Sequence, residues 1–123
     1  MLKMIFCLNR LPHLSREEFQ RYWREQHAPL VSRHAASLGI RRYVQSHTVD
    51  DARLRPVAEL RGSAGKEFDG VAELWWDSAD ALMAAISTEA GQLAGGELLE
   101  DEARFIDLPN SPVFFTEEHE VVA

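Results

Sequence analysis

Apolar side chains occupy almost every position at the start of the chain, which is typical of a short buried strand. Residues 2–9 (LKMIFCLN) are rich in large apolar residues, and Pro12 follows this run. We therefore predict a first strand here. β-branched and aromatic residues predict three further strands, over residues 40–49, 70–76 and 113–119.

Between the first two strands, apolar and aromatic residues recur every three or four positions, as they do along one face of a helix. Ser15 and Glu18 have the spacing of a capping box, and Gly39 is a typical stop. Pro29 removes a backbone donor and disfavours helical backbone before it, so we predict a kink near His27. The helical face comprises Phe19, Tyr22, Trp23, His27, Leu30, Val31 and His34.

The second half of the chain repeats this order after a long polar connection over residues 50–68. Asp77 and Ser78 can cap a second helix, and residues 89–106 predict a further helical segment. The resulting order β-α-β-β-α-β predicts an α+β fold. We expect a single ferredoxin-like domain over residues 1–123, with a four-stranded antiparallel sheet and helices on one face.

The predicted sheet is apolar on both faces, because alternate side chains of a strand point to opposite sides. In the first strand, Leu2, Met4, Phe6 and Leu8 share one face, while Ile5 and Cys7 lie on the other. Two helices cover only one side, so we predict a homodimer that pairs the uncovered sheet faces. A monomer whose open face is hidden by residues 50–68 is the alternative.

Composition excludes several classes of protein. The chain has 13 Lys and Arg against 20 Asp and Glu, a net charge of −7 that disfavours nucleic acid as a partner. Cys7 is the sole cysteine, which excludes an intrachain disulfide. The apolar start is too short for a signal peptide or a membrane span, so a cytoplasmic protein without a membrane partner is expected.

His27 is the first candidate for chemistry, because it lies on the apolar helix face beside the predicted kink. A histidine in this setting is suited to proton transfer; a core histidine bonded to a freed carbonyl is the alternative. Tyr43 and His47 share a face of the second strand about 13 Å apart, so both can contact one ligand along the strand. Such a pair is more often simply part of an amphipathic edge strand, which is the alternative.

The remaining candidates for substrate binding lie mostly in the third strand. Glu73 is a carboxylate among apolar residues, so it is either a titrating group or paired with Arg41 or Arg42. Trp23, Trp75 and Trp76 either form an aromatic pocket wall or fill the core. The sequence has no glycine-rich phosphate loop, no G-x-S-x-G and no compact metal-ligand spacing, so we expect neither a cofactor nor a metal.

Seven segments together resemble the EthD family, over nearly the whole chain outside residues 50–66. They are Met4–Arg10, Leu14–Phe19, Tyr22–Trp23, Glu25–Val31, Ala72–Trp75, Asp101–Asp107 and Phe115–His119. The resemblance implies a dimeric α/β barrel with a small-molecule pocket between the sheet and the helices of each subunit. EthD itself takes its name from an ether-degradation gene cluster.

Catalytic relatives of this family suggest roles for two residues. The similar methylmuconolactone methylisomerases use a histidine that matches His27 and a tyrosine that matches Tyr43, but their cysteine falls near Leu74. Haem-degrading relatives pair an asparagine in the first strand with a tryptophan and a helical histidine. Asn9 is available, but residues 48–118 contain no histidine, which argues against haem oxygenation. The resemblance therefore implies a cofactor-independent enzyme that isomerises, cyclises or rearranges a small oxygenated compound. A non-catalytic accessory protein and a cofactor-free monooxygenase are the alternatives.

Overall fold

Four strands and five α-helices make up the fold in the computed structural model, which describes residues 1–123. In chain order they are β1 (Leu2–Leu8), α1 (Arg16–Tyr22), α2 (Ala28–Leu38), β2 (Arg42–His47), α3 (Arg55–Glu59), β3 (Gly70–Trp76), α4 (Ala79–Ile86), α5 (Glu89–Glu102) and β4 (Val113–Glu117). A π-helical turn, Trp23–His27, joins α1 to α2, and 3-10 turns lie at Ala52–Leu54 and Leu108–Asn110.

The strands form one antiparallel sheet in the order β2-β3-β1-β4. This order places β1 and β3 in the centre, while helices connect β1 to β2 and β3 to β4, as the ferredoxin-like arrangement requires. The predicted α+β fold with a four-stranded antiparallel sheet is confirmed. No helix is long and apolar enough to cross a membrane.

The first helical region begins and ends at the residues that the sequence indicated. The Ser15 hydroxyl accepts from the Glu18 amide at 3.0 Å, and the Glu18 carboxylate accepts from the Ser15 amide at 3.0 Å. Gly39 ends α2 with a φ of 70°, in the left-handed region that favours glycine. The irregularity before Pro29 takes the form of a π-helical turn rather than a break, and it ends at His27.

The helices α4 and α5 pack closely where the chain turns between them. A Cβ atom at Gly91 would lie 1.9 Å from the carbonyl oxygen of Ala85, so only glycine permits this approach. The predicted helical segment over residues 89–106 is shorter than expected, since α5 ends at Glu102.

The core lies between the sheet and the helices. Alternation places the even-numbered residues of β1 and β3 on this side, including Leu8 and Leu74. They pack against the helical Phe19 and Trp23 and against Phe105, which follows α5. Phe19 and Phe105 are fully buried, with ring centroids 5.4 Å apart.

The opposite side of the sheet, called here the open face, has no helix against it. Its apolar side chains include Ile5 and Val71, and Phe114 is 47% exposed. The connection between β2 and β3 does not cover it with its own apolar residues, since Val57 and Leu60 are 59% and 86% exposed to solvent. The open face therefore carries apolar side chains, around Ile5 and Phe114, that one subunit leaves uncovered.

Candidate functional site

A cavity of about 380 Å³ lies between the sheet and the helices α2, α4 and α5. Its lining is mostly hydrophobic, with residues from β1, β2 and β3 as its floor. The ionisable or hydroxyl-bearing side chains in the lining are His27, Tyr43, Glu102 and Ser111. Cavities of this size and character are typical of small-molecule sites.

His27 lies at the end of the π-helical turn, where its ring is held by a carboxylate from α5. Its Nδ1 atom is 2.7 Å from Oδ2 of Asp101, and both side chains are buried. The Phe105 ring packs against the imidazole with centroids 5.0 Å apart. The hydrogen-bond partner of His27 is therefore Asp101 and not a freed backbone carbonyl, which was the alternative predicted from the sequence.

Asp101 is itself fixed by several donors. Its Oδ1 atom accepts from the Tyr22 hydroxyl at 2.6 Å and from the Arg104 guanidinium at 2.9 Å. Although burial raises the pKa of Asp101, hydrogen bonds from Tyr22, His27 and Arg104 lower it below its ordinary value. The carboxylate therefore stays ionised and accepts the Nδ1 proton of His27.

This hydrogen bond determines which nitrogen of His27 is free. With the proton on Nδ1, the lone pair of neutral His27 is on Nε2, which makes no hydrogen bond within the protein. Burial lowers the pKa of His27, and the bond to Asp101 only partly opposes this effect. His27 is therefore a neutral imidazole on the cavity wall near pH 7, in the form that can accept a proton.

Tyr43 is placed on the same wall by a chain of side-chain hydrogen bonds. The Gln45 amide donates to the Tyr43 hydroxyl at 2.8 Å and to the Trp23 carbonyl at 3.0 Å. Burial raises the pKa of Tyr43 although the bond from Gln45 opposes it, so the phenol stays protonated. Because its oxygen already accepts from Gln45, its O–H is free to donate to a ligand.

Glu102 is the one carboxyl group in the cavity lining. It makes no hydrogen bond or ion pair with the protein, and the charge on neighbouring Asp101 disfavours its ionisation. Burial raises the pKa of Glu102 to about 7, and Asp101 adds to the increase. Carboxyl groups with this combination of burial and raised pKa are frequent at functional sites.

The remaining residues predicted to bind substrate are divided between the helix-covered face of the sheet and the open face. Trp23 and Trp76 line the cavity, and the Trp76 indole donates to the Leu38 carbonyl at 2.7 Å. His47 lies outside the lining, stacked on Trp23 at 4.4 Å and bonded through Nε2 to Gln45 at 2.8 Å. Tyr43 and His47 are thus linked through Gln45.

Glu73 and Trp75 lie on the open face, so the structure separates them from His27. Their strand neighbours Leu74 and Trp76 point to the cavity side, and alternation turns Glu73 and Trp75 away. Glu73 pairs with Lys3 rather than with Arg41 or Arg42 as predicted.

Trp75 is buried under polar side chains of the open face. The Lys3 ammonium and the Arg42 guanidinium lie 4.8 and 4.6 Å from its ring, and its indole donates to Glu118 at 2.5 Å. These contacts bury Trp75 on the open face, and Trp75 is not among the residues that line the cavity.

Sequence reasoning missed the roles of Asp101 and Glu102. Both lie in α5 at helical spacing between Leu98 and Phe105, so they interrupt an otherwise apolar face. Two acidic residues at such positions are a signal for buried partners or titrating groups. No group of three or more His, Cys, Asp or Glu side chains is positioned to ligate a metal ion.

The EthD domain family matches residues 11–109, which include His27, Tyr43, Asp101 and Glu102. The chain belongs to the EthD family. Among curated protein sequences, none matches this EthD protein.

Three solved structures have the same fold at low sequence identity. An EthD family protein from Bacillus halodurans is 19% identical, with 97% of this chain and 100% of that chain covered and a TM-score of 0.62. A dimeric ferredoxin-like protein from Bacteroides fragilis is 12% identical, with 95% of each chain covered and a TM-score of 0.58. SnoaB, a cofactor-independent oxygenase from Streptomyces nogalater, is 13% identical, with 98% and 95% covered and a TM-score of 0.56.

Proposed function

We propose that this EthD protein is a cofactor-independent enzyme that transfers protons on a small oxygenated organic compound. Isomerisation, cyclisation and lactone rearrangement are reactions of this kind, and they serve catabolism or secondary metabolism. The observation that carries the proposal is the 2.7 Å contact between His27 Nδ1 and Asp101, which leaves a basic Nε2 on the wall of an apolar cavity.

In the proposed mechanism, His27 is the general base. Its Nε2 atom removes a proton from the carbon beside a substrate carbonyl, and the imidazolium formed is stabilised by the ionised Asp101. The electron pair of the broken C–H bond moves onto the carbonyl oxygen and gives an enolate. His27 then returns the proton to another carbon or to oxygen.

Tyr43 stabilises the charge that develops on this oxygen. Its protonated hydroxyl, held by Gln45, donates a hydrogen bond to the enolate. The hydrophobic lining restricts water around the reacting atoms, which strengthens the electrostatic interactions there. Proton transfer by a positioned base contributes roughly 10²–10⁴ in rate.

A test of this mechanism is deuterium exchange on β-tetralone, an uncharged bicyclic ketone with acidic α-protons. We expect the protein in D₂O to accelerate exchange beyond the buffer rate, and His27→Ala to reduce it to that rate. His34→Ala is the matched control, because His34 pairs with Glu97 at 2.6 Å outside the cavity. Full exchange by His27→Ala would remove His27 from the mechanism.

The exchange measurement, a binding measurement and an oxygen-consumption assay together separate the two alternatives from proton-transfer catalysis. Binding of β-tetralone without accelerated exchange would favour a non-catalytic accessory protein. Consumption of O₂ with a quinol would favour a cofactor-free monooxygenase; the likeness to SnoaB, at 13% identity, supports only a shared fold.

We further propose that the protein forms a homodimer through its open face, as a dimeric α/β barrel. The support is the exposed apolar surface around Ile5 and Phe114, together with the description of the Bacteroides fragilis relative as dimeric. Pairing two identical sheets covers this surface on both subunits.

A further inference from the structure

The cavity lining contains no lysine or arginine. Arg104, which follows α5, is bound to Asp101 and to Glu100, and its side chain is 56% exposed. His27 is neutral and Tyr43 is protonated near pH 7 for the reasons given above. An anionic ligand in this cavity therefore loses its hydration without gaining a cationic partner.

Glu102 is the ionisable group in this lining that the proposed mechanism does not use. Its carboxyl group has no protein partner, although it lies in a mostly hydrophobic wall. The charge of Asp101 on the same helix acts on Glu102, and the other titratable groups in the lining are Tyr43 from β2 and His27. Glu102 is partly exposed, so a ligand or water in the cavity can pair with its carboxyl group.

We infer that Glu102 selects an uncharged, mainly hydrocarbon ketone or lactone, whose carbonyl oxygen accepts a hydrogen bond from its protonated carboxyl group. A carboxylate of the same shape is disfavoured, because it loses its hydration in a lining that offers no cation. The inference rests on the proposed function in taking the same cavity as the substrate site. It adds the chemical class of the substrate and a specificity role for Glu102.

Two pieces of evidence agree with this assignment. Glu102 and Tyr43 line the same cavity, and the charge on Glu102 adds to the effect of burial in raising the pKa of the Tyr43 phenol. Burial raises the pKa of Glu102 to about 7, which leaves much of the carboxyl group protonated at neutral pH. A protonated carboxyl group can donate a hydrogen bond to a carbonyl, whereas a carboxylate can only accept one.

The test compares the binding of β-tetralone with that of the tetralin β-carboxylate, an anion of similar shape. Equilibrium dialysis at about pH 6 and about pH 8 brackets the Glu102 pKa of about 7. At the lower pH we expect the ketone to bind about 100-fold or more tightly than the carboxylate. Ketone affinity should fall roughly tenfold per pH unit above that pKa, since only the protonated form donates.

Glu102→Gln keeps an uncharged hydrogen-bond donor and removes the titration. This variant should bind β-tetralone equally well at both pH values. Glu100→Gln is the matched control, because Glu100 lies on the same helix with a side chain 73% exposed, and it should keep the pH dependence of wild type.

Three results would overturn the inference: equal affinities for the two probes, no binding of the ketone, or a pH dependence that persists in Glu102→Gln. These affinities are measured without turnover. If they fail while β-tetralone exchange still depends on His27, only the role of Glu102 is wrong. If His27→Ala exchanges at the wild-type rate while the ketone preference holds, only the proton-transfer mechanism is wrong.

Discussion

The imidazole Nδ1 atom of His27 lies 2.7 Å from the Asp101 carboxylate, although the two residues are 74 positions apart in sequence. This contact joins the π-helical turn to the last turn of α5 and sets the tautomer of His27. Asp101 acts through His27 and is a positioning residue. The first prediction concerns this pair.

Asp101→Asn should reduce the His27-dependent exchange of β-tetralone by roughly 10²–10⁴-fold. An asparagine amide can donate to Nδ1, which moves the proton to Nε2 and removes the basic lone pair from the cavity. Nitrogen-15 NMR of the imidazole reports this change of tautomer, which a purely structural role would not produce.

Glu97→Gln is the control for Asp101→Asn. It alters the other close histidine–carboxylate pair, His34 with Glu97, where the Glu97 side chain is 57% exposed. This variant should leave exchange and the His27 tautomer unchanged. A wild-type tautomer and wild-type exchange in Asp101→Asn would contradict the positioning role.

The second prediction is a pH-dependent stability from Glu102. The folded protein keeps this proton up to pH about 7, whereas the unfolded chain loses it near the ordinary value of 4.5. The folded state binds more protons between these values, so the Glu102 contribution to the free energy of unfolding falls as pH rises through this range. Above about pH 7 the Glu102 contribution is constant, and its total decrease across the range is about 3 kcal/mol.

Urea unfolding of wild type and Glu102→Gln at several pH values isolates this contribution. The free energy of unfolding of wild type should fall relative to that of Glu102→Gln as pH rises from about 4.5 to about 7. Glu102→Gln should therefore be the more stable protein at about pH 8. Glu100→Gln should follow wild type, because its side chain is 73% exposed. A difference independent of pH would show that Glu102 titrates normally.

The third prediction uses a pair of adjacent glycines in α5 to test the cavity as the ligand site. Gly95 lines the cavity and Gly96 does not, and a Cβ at either position meets no atom within 4 Å. Gly95→Leu should fill part of the cavity and weaken β-tetralone binding by at least about tenfold. Gly96→Leu should bind as wild type does.

Both glycine variants should gain up to about 1 kcal/mol of stability from helix propensity, so a loss of binding cannot be ascribed to unfolding. Thermal unfolding checks this gain. Equal ketone affinities in the two variants would place the binding site elsewhere.

The fourth prediction concerns Asp69, which holds the end of the β2–β3 connection. It is 4% exposed, and it accepts from the Arg10 amide and guanidinium at 2.8 and 2.5 Å and from Arg16 at 2.9 Å. Asp69→Asn should lower the free energy of unfolding by about 3 kcal/mol, because it leaves two arginines without their buried partner.

Asp51→Asn is the comparison for Asp69→Asn, since its partner Arg53 is 88% exposed. Exposed pairs contribute little, so the change measured by urea unfolding should be below about 1 kcal/mol. Similar losses in both variants would contradict the argument from burial.

The fifth prediction tests the dimer. Phe114→Glu places a charge on the open face opposite Ile5 and should convert a dimer to a monomer in sedimentation velocity. Leu60→Glu is the control, because Leu60 is 86% exposed and lies in the β2–β3 connection. A monomeric wild type would refute the proposed assembly.

Much of the fold was predictable because its signals are local. The capping box of Ser15 and Glu18, the stop at Gly39 and the alternation along β1 depend on residues close in sequence. Pro29 indicated an irregularity near His27, but not that the chain would form a π-helical turn there. The sequence by itself determined the α+β order and predicted large apolar side chains on both faces of the sheet.

The site required the tertiary structure, because its contacts join distant elements. Alternation showed that Glu73 and Trp75 share a face, but only helix packing decided that this face is the open one. The partner of His27 depends on how α2 packs against α5, which no local pattern specifies. The raised pKa of Glu102 likewise depends on burial by residues from several elements, so the folded chain alone creates it.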